Sequence, residues 1–112
     1  MRDKERDEAR LQLMLENISN IENYLSGTTT LDAFSSNKLL THAVFYNLQC
    51  IGEAVYKLSR DFLETHTSMD WQAIEGLRHV LVHDYYSVKC SKVWSILQED
   101  IPTLKKYLLS LS

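Results

Sequence analysis

The sequence has little proline, glycine or cysteine and no long apolar stretch. One Pro and three Gly among 112 residues are too few for a turn-rich all-β domain, so an all-α fold is favoured. Cys50 and Cys90 belong to no metal-type cluster, and we do not expect a disulfide between them. No apolar run approaches the roughly 20 residues that a membrane-spanning helix requires.

The charge balance limits the kinds of partner. A formal net charge of −3 argues against a tight, non-specific nucleic-acid binder, which carries a basic face. It does not exclude a nuclease that touches one or two phosphates. The first ten residues are charged and do not resemble a signal peptide, so we expect a cytoplasmic protein. The length and the 45% hydrophobic content predict a single globular domain over residues 1–112.

Apolar residues recur at helical spacing along most of the chain. They predict an up-and-down bundle of four to five helices. The first long helix is expected at about 3–26, and a short helical turn at 31–34. The second helix is expected to begin after a cap at Ser35 or Ser36 and to end at about 60. The third is expected at 71–83, and the fourth after a cap at Ser87.

A few residues are expected to shape these helices. Gly27 is a plausible C-cap of the first helix, and Ser68 or Asp70 a plausible N-cap of the third. Gly52 lies inside the second helix, where its missing side chain permits close approach of another helix. Pro102 predicts a kink or a restart in the last helix, with Asp100 as a possible cap.

The residues with the most chemistry lie together at 78–85. Arg78 is a permanent cation whose planar fork suits a phosphate. His79 and His83 can take and give protons near neutral pH. Tyr85 adds a hydroxyl that could bind a ligand or be modified. The rest of the chain resembles a helical scaffold, so this segment is the predicted functional site.

Arg78 and His83 do not face the same way on a regular helix. They are five positions apart and differ by roughly 140° around the axis. A shared site requires that the helix end or distort near His83, or that Arg78 curl round. A third possibility is that two copies of the chain pool these residues across a two-fold axis.

Two further features of this site have more than one interpretation. His79 and His83 are spaced as metal ligands on one helix face, but two ligands are too few for a closed zinc site, so we predict neither a metal nor a cofactor. Glu53 lies within an apolar helical pattern, where a buried carboxylate needs a partner. It is predicted to pair with Arg78 or to lie near the site; the alternative is an ordinary exposed glutamate.

The motif R-x-x-x-x-H-x-Y, formed by Arg78, His83 and Tyr85, resembles the signature of HEPN-domain ribonucleases. Three other stretches resemble the HepT-like branch, whose members are toxins paired with a minimal nucleotidyltransferase antitoxin. The similarity covers about residues 10–110. The stretches are NLQCIGEA at 47–54, the approach to GLR at 71–78, and VWSI followed by DIP at 93–102.

The resemblance implies a HEPN fold and metal-independent RNA cleavage in a cleft between two protomers of a homodimer. Arg78 would hold the phosphate, and His83 would serve as general acid or base. His83 is predicted near a helix C-terminus, whose dipole favours the protonated imidazole and therefore a general acid. Tyr85 would receive AMP from a cognate MntA-like nucleotidyltransferase, and a bulky anion there would block the site.

The chain departs from the family pattern at one position. The family usually has Asn directly after the arginine, whereas this chain has His79. We expect His79 to support the site, in a second layer or at an interface. Two other functions therefore stay open. One is a non-catalytic partner subunit that binds and regulates a nucleotidyltransferase, and the other is a helical module for a metal or small ligand.

Overall fold

The helices of this chain follow its apolar periodicity. A computed structural model describes residues 2–83 and 89–111, with the backbone alone at Arg2, Val82 and His83. These residues form helices and turns but no strand, which confirms the predicted all-α class. The elements are α1 (Arg2–Tyr24), α2 (Leu31–Ser35), α3 (Lys38–Tyr56), α4 (Arg60–Thr65), α5 (Trp71–His83), α6 (Cys90–Ser95) and α7 (Ile101–Ser110), with a π-helical segment (Ile96–Asp100) joining α6 to α7.

The long helices form the predicted up-and-down bundle. Asn20 of α1 contacts Asn47 of α3, whereas Asp7 contacts Ser59 just beyond α3, so α1 and α3 run antiparallel. The same reversal relates α3 to α5 and α5 to α7. The contacts that show it are Gly52 with Arg78, Leu48 near Leu81, Trp71 with Tyr107, and Leu77 near Asp100.

One core lies between the helices and joins the short α2 to the rest. Phe34 of α2 is fully buried, and its ring lies 5.4 Å from the ring of Trp94. Phe45 and Trp71 are also buried. Burying such side chains supplies most of the stability of helices that are marginal alone. The apolar residues with the least exposure are Met14, Ile18, Ile21, Val44, Leu48, Ile51, Val55 and Leu104.

The prediction for the second helix was wrong at both ends. Its N-cap is Asn37, whose side chain accepts a hydrogen bond from the Leu40 amide, rather than Ser35 or Ser36. The helix ends at Tyr56, and a separate helix, α4, occupies part of the predicted connection. The break follows from Ser59, which is extended at φ −67°, ψ 153° and caps α4 through the Phe62 amide.

The turn predictions had mixed outcomes. Gly27 has φ +84° just beyond α1, the left-handed conformation of a C-terminal glycine. Asp70 caps α5 by accepting a hydrogen bond from the Ala73 amide. Ser87, the predicted cap of the last helix, lies outside the described residues, and α6 begins at Cys90.

Pro102 lies where the α-helical pattern of the last helix is interrupted, as the predicted kink or restart requires, and α7 begins at Ile101 with Pro102 in its first turn. The chain stays helical through Asp100, which makes no side-chain cap hydrogen bond, and the turn before α7 is π-helical. Proline lacks an amide hydrogen and its ring crowds the carbonyl four residues earlier. A wider π turn accommodates both effects without breaking the helix.

Candidate active site

Arg78 lies where α3 and α5 make their closest approach. A Cβ atom built on Gly52 would be 2.6 Å from the Arg78 Cβ and 2.8 Å from the Arg78 amide nitrogen. No side chain fits in that space. The absence of a side chain at Gly52 therefore lets α5 rest directly on α3, as the sequence predicts. The contact fixes the position of the Arg78 backbone relative to α3.

Glu53 and Tyr56 hold the Arg78 guanidinium from α3. The Arg78 Nε donates a hydrogen bond to Glu53 Oε2 at 2.5 Å, so the predicted pairing of these residues is present. The Arg78 Cζ lies 4.4 Å from the centre of the Tyr56 ring, in cation–π geometry. The Arg78 side chain stays 30% exposed. The guanidinium is thus held in place while still open to an incoming anion.

Lys57 completes what we call the Arg78 cluster: Arg78, Glu53, Tyr56 and Lys57. Its Nζ lies 3.6 Å from Glu53 Oε1. With two cations and one anion, the cluster carries a net positive charge and suits a phosphate. Sequence reasoning missed Tyr56 and Lys57. Their spacing carried a signal, because Tyr56 lies one turn after Gly52 and Lys57 one turn after Glu53 on the same helix.

The other motif residues are placed less completely. α5 is described to His83, so a helical backbone separates Arg78 from His83 as the five-residue spacing implies. The His83 side chain and all of Tyr85 lie outside the described parts of the chain. His79 is exposed on α5 next to Arg78. The structure thus brings Glu53 to Arg78, and the catalytic roles of these residues stay predictions.

A groove of about 620 Å³ lies between α1 and α3 and reaches the Arg78 cluster at Glu53 and Lys57. We call it the α1–α3 groove. Its lining mixes amide, aromatic and cationic side chains, and Asn20 donates a 3.1 Å hydrogen bond to Asn47 across its floor. The residues that line it are Arg10, Leu13, Asn17, Asn20, Tyr24, Tyr46, Asn47, Gln49, Cys50, Glu53, Ala54 and Lys57.

One titratable group in the groove has a shifted pKa. A hydrogen bond with the Cys50 side chain, one turn further along α3, raises the pKa of the Tyr46 hydroxyl, with smaller contributions from Cys50 electrostatics and from burial. Cys50 and Cys90 are both free thiols.

The described residues include no group of three or more His, Cys, Asp or Glu side chains arranged to hold a metal ion. The same part of the chain contains no helix that is both long and apolar enough to cross a membrane.

Curated relatives carry ribonuclease names. The "Putative RNase MJ1380" of Methanocaldococcus jannaschii is 37% identical over 73 residues, which are 65% of this chain and 67% of that protein. The "Gamma-glutamylcyclotransferase and putative RNase MJ0434" of the same organism is 34% identical over 101 residues, which are 90% of this chain but 45% of that protein. The "Probable ribonuclease HepT" of Thermococcus cleftensis is 35% identical over 72 residues, 64% of this chain and 66% of that protein.

No solved structure matches this chain significantly. The model of the family described as "Ribonuclease HepT-like" matches residues 14–111 and so includes Gly52, Glu53, Arg78 and His83. This match and the named relatives support the endoribonuclease class that the motif predicts. The chain belongs to the HepT-like ribonuclease family.

Proposed function

We propose that this chain is a metal-independent endoribonuclease in which Arg78 binds the scissile phosphate and His83 transfers protons. The observation that carries the proposal is the Arg78 guanidinium, which Glu53 and Tyr56 hold in place while it remains partly exposed. An arginine positioned in this way can meet a phosphate without first losing much rotamer freedom. The family membership supports the same class of reaction.

The reaction requires two proton transfers. The ribose 2′-oxygen attacks phosphorus as a base removes its proton, and the bond to the 5′-oxygen breaks as an acid protonates that leaving oxygen. The products are a 2′,3′-cyclic phosphate and a 5′-hydroxyl. Arg78 stabilises the charge that develops on the non-bridging phosphate oxygens. Neither transfer requires a metal ion.

We further propose that the complete site forms between two protomers. Arg78 and His83 differ by roughly 140° around α5, so one helix does not easily aim both at the same phosphate. A two-fold contact between α5 helices would combine Arg78 of one protomer with His83 of its partner. It would also supply two copies of His83, one as base and one as acid.

In the cell, we propose that the chain is the toxin of a toxin–antitoxin pair in the cytoplasm. A cognate MntA-like nucleotidyltransferase would attach AMP to Tyr85. In that step the Tyr85 oxygen bonds to the α-phosphorus of a nucleoside triphosphate, the hydroxyl loses its proton, and pyrophosphate leaves. Tyr85 lies two positions beyond His83, so the added phosphate would compete with RNA for Arg78.

Cleavage by variants tests the ribonuclease proposal. Arg78→Ala and His83→Ala should each lower RNA cleavage by about 100-fold or more while the proteins stay folded. Arg60→Ala is the matched control, because the Arg60 side chain is 90% exposed on α4 and does not belong to the Arg78 cluster. Cleavage by Arg78→Ala at the wild-type rate would contradict the role of Arg78. Loss of wild-type activity with a chelator would contradict metal independence.

A non-catalytic partner subunit is the alternative, and His79 in place of the family's usual Asn favours it. His79→Asn distinguishes the two functions. If the chain is a weakened nuclease, this substitution should raise cleavage severalfold. A chain that cleaves no RNA with either residue, yet binds the nucleotidyltransferase, would be a regulatory subunit.

Intact mass after co-expression with the nucleotidyltransferase tests the role of Tyr85, because wild type should gain the mass of one AMP and Tyr85→Phe should not.

A further inference from the structure

Apart from Glu53 and Lys57, the residues that line the α1–α3 groove have no part in the proposed chemistry. The α1 wall of the groove is a single helix face at spacings of three and four residues. That wall is formed by Arg10, Leu13, Asn17, Asn20 and Tyr24. Because α1 and α3 are antiparallel, Arg10 lies at the end near Lys57 and the Arg78 cluster, and Tyr24 lies towards the other end.

The lining of the groove matches the chemistry of unpaired nucleobases. Tyr46 is 64% exposed, and Tyr24 is 44% exposed. Exposed aromatic rings stack on single-stranded bases whatever their sequence. Asn17 and Gln49 add amide groups, which can both donate to and accept from base edges.

The end of the groove near the Arg78 cluster suits the RNA backbone. The Arg10 Nε is buried and has no hydrogen-bond partner among the residues that the structure describes. The Arg10 side chain also lines this end of the groove, and its guanidinium carries a permanent positive charge that a phosphate would complement. Lys57 lies at the same end and contacts Glu53. Two cations therefore stand between the aromatic part of the groove and Arg78.

We propose that the α1–α3 groove binds unpaired nucleotides of the RNA next to the phosphate held by Arg78, with Tyr46 stacking on a base and Arg10 contacting the backbone. The inference rests on the proposed ribonuclease function and adds its base-binding site. Tyr46 is seven positions before Glu53, about 10 Å along α3. Roughly three stacked nucleotides of a strand cover that distance at about 3.4 Å each.

RNA fits the groove better than a second copy of the chain does. The centre of a homodimer contact is mainly apolar and poor in charge. This groove instead has an amide hydrogen bond across its floor, and two cations and a carboxylate at one end. These groups would be left partly unpaired against a flat helical surface, whereas bases and phosphates offer them partners.

Binding and cross-linking of RNA test the inference. The probe is a short single-stranded 2′-O-methyl RNA, which binds but cannot be cleaved because the attacking hydroxyl is blocked. Tyr46→Ala should weaken its binding by roughly ten-fold. Tyr46→Trp should restore binding, and Tyr46→Phe, which loses the hydroxyl alone, should bind nearly as wild type. Leu39→Ala is the matched control, because Leu39 is 83% exposed on α3 but does not line the groove.

The same RNA with 4-thiouridine should cross-link to peptides from residues 10–24 or 46–57. Cross-links elsewhere, wild-type affinity of Tyr46→Ala, or no RNA binding by wild type would overturn the inference. A change in oligomeric mass in both the Tyr46→Ala and the Leu39→Ala variants would also overturn the inference. The exposed face of α3 would then be an interface between protein chains.

The Arg78→Ala variant separates this inference from the proposed function. If cleavage depends on Arg78 but Tyr46→Ala retains the wild-type KM, the groove inference alone fails. If cleavage is independent of Arg78 while binding and cross-links depend on Tyr46, the proposed catalytic site fails and the groove remains an RNA site.

Discussion

Helix α3 meets its two long neighbours in opposite ways. Towards α5 it presents Gly52, so that the helices touch and the Arg78 backbone lies against α3. Towards α1 it presents larger side chains such as Tyr46 and Asn47, and a groove of about 620 Å³ remains between the helices. The same helix therefore packs against α5 without a gap at Gly52 and leaves a surface groove against α1.

This difference assigns different tasks to the two faces of α3. A guanidinium that contacts a reacting phosphate has to be held closely, because small displacements cost large factors in rate. A channel for a flexible single strand needs room and exposed rings instead. Glu53 and Lys57 belong to both regions, since they contact or neighbour Arg78 and also line the groove.

The largest expected effect comes from closing the space at Gly52. Gly52→Ala places a methyl group 2.6 Å from the Arg78 Cβ, with the Arg78 backbone directly behind it. We expect it to destabilise the protein by about 2 kcal/mol or more, measured by urea denaturation, and to abolish Arg78-dependent cleavage.

Gly76→Ala is a matched control on the other helix of this pair. No atom lies within 4 Å of a Cβ built at Gly76. That substitution should stabilise the protein by about 0.5–1 kcal/mol, because alanine is the better helix residue. Equal behaviour of the two variants would contradict the idea that only the Gly52 contact is closely packed.

On the α1 side of α3, the stability should depend on a hydrogen-bond network rather than on close backbone packing. Asp7 is 6% exposed and accepts hydrogen bonds from the Ser59 amide and hydroxyl, at 2.8 Å and 2.6 Å. Asp7→Ala removes both acceptors and should cost about 1–2 kcal/mol in the free energy of unfolding. Asp3→Ala, at an exposed position one turn earlier, should change it by less than about 0.5 kcal/mol. A similar loss in both variants would show that charge on α1, rather than this network, matters.

The same network shows why sequence analysis succeeded for some elements and failed for α4. The long helices were predictable because the spacing of their apolar residues is a local pattern, and those residues form the buried face of each helix. The boundary between α3 and α4 depends on Ser59, which Asp7 binds from 52 positions away. No local pattern contains that contact, so the sequence predicted one longer helix followed by a connection.

The candidate site was predictable to a similar extent. Arg78 was predictable from its charge and from the motif that it begins. Glu53 was predictable because it is a carboxylate within an apolar helical pattern. Tyr56, Lys57 and the groove depend on how α1, α3 and α5 are aligned with one another. That alignment is set by packing and by Gly52, which the sequence marked as a contact without naming its partner.

An intermediate effect is expected at Glu53, where the two regions meet. Glu53→Gln keeps an acceptor for the Arg78 Nε but removes the charge that holds the guanidinium. Because both side chains are partly exposed, at 30% and 41%, stability should change little. Cleavage should fall by about ten-fold, mainly in kcat, because Arg78 loses its fixed position. An effect on KM alone would assign Glu53 to RNA binding in the groove rather than to the positioning of Arg78.

The smallest expected effect is at Lys57, whose exposed pairing with Glu53 adds little stability. Lys57→Gln should leave the free energy of unfolding within about 0.5 kcal/mol of wild type. If Lys57 contacts one phosphate at the end of the groove, the RNA affinity of the Lys57→Gln variant should depend less on salt concentration than that of wild type. The slope of log affinity against log salt concentration should then fall by about 0.7, the value for one contact on a single strand. Lys38→Gln, at the other end of α3, should leave the slope unchanged. An unchanged slope for Lys57→Gln would place the RNA backbone away from this end of the groove, and α3 would then support catalysis on its α5 side alone.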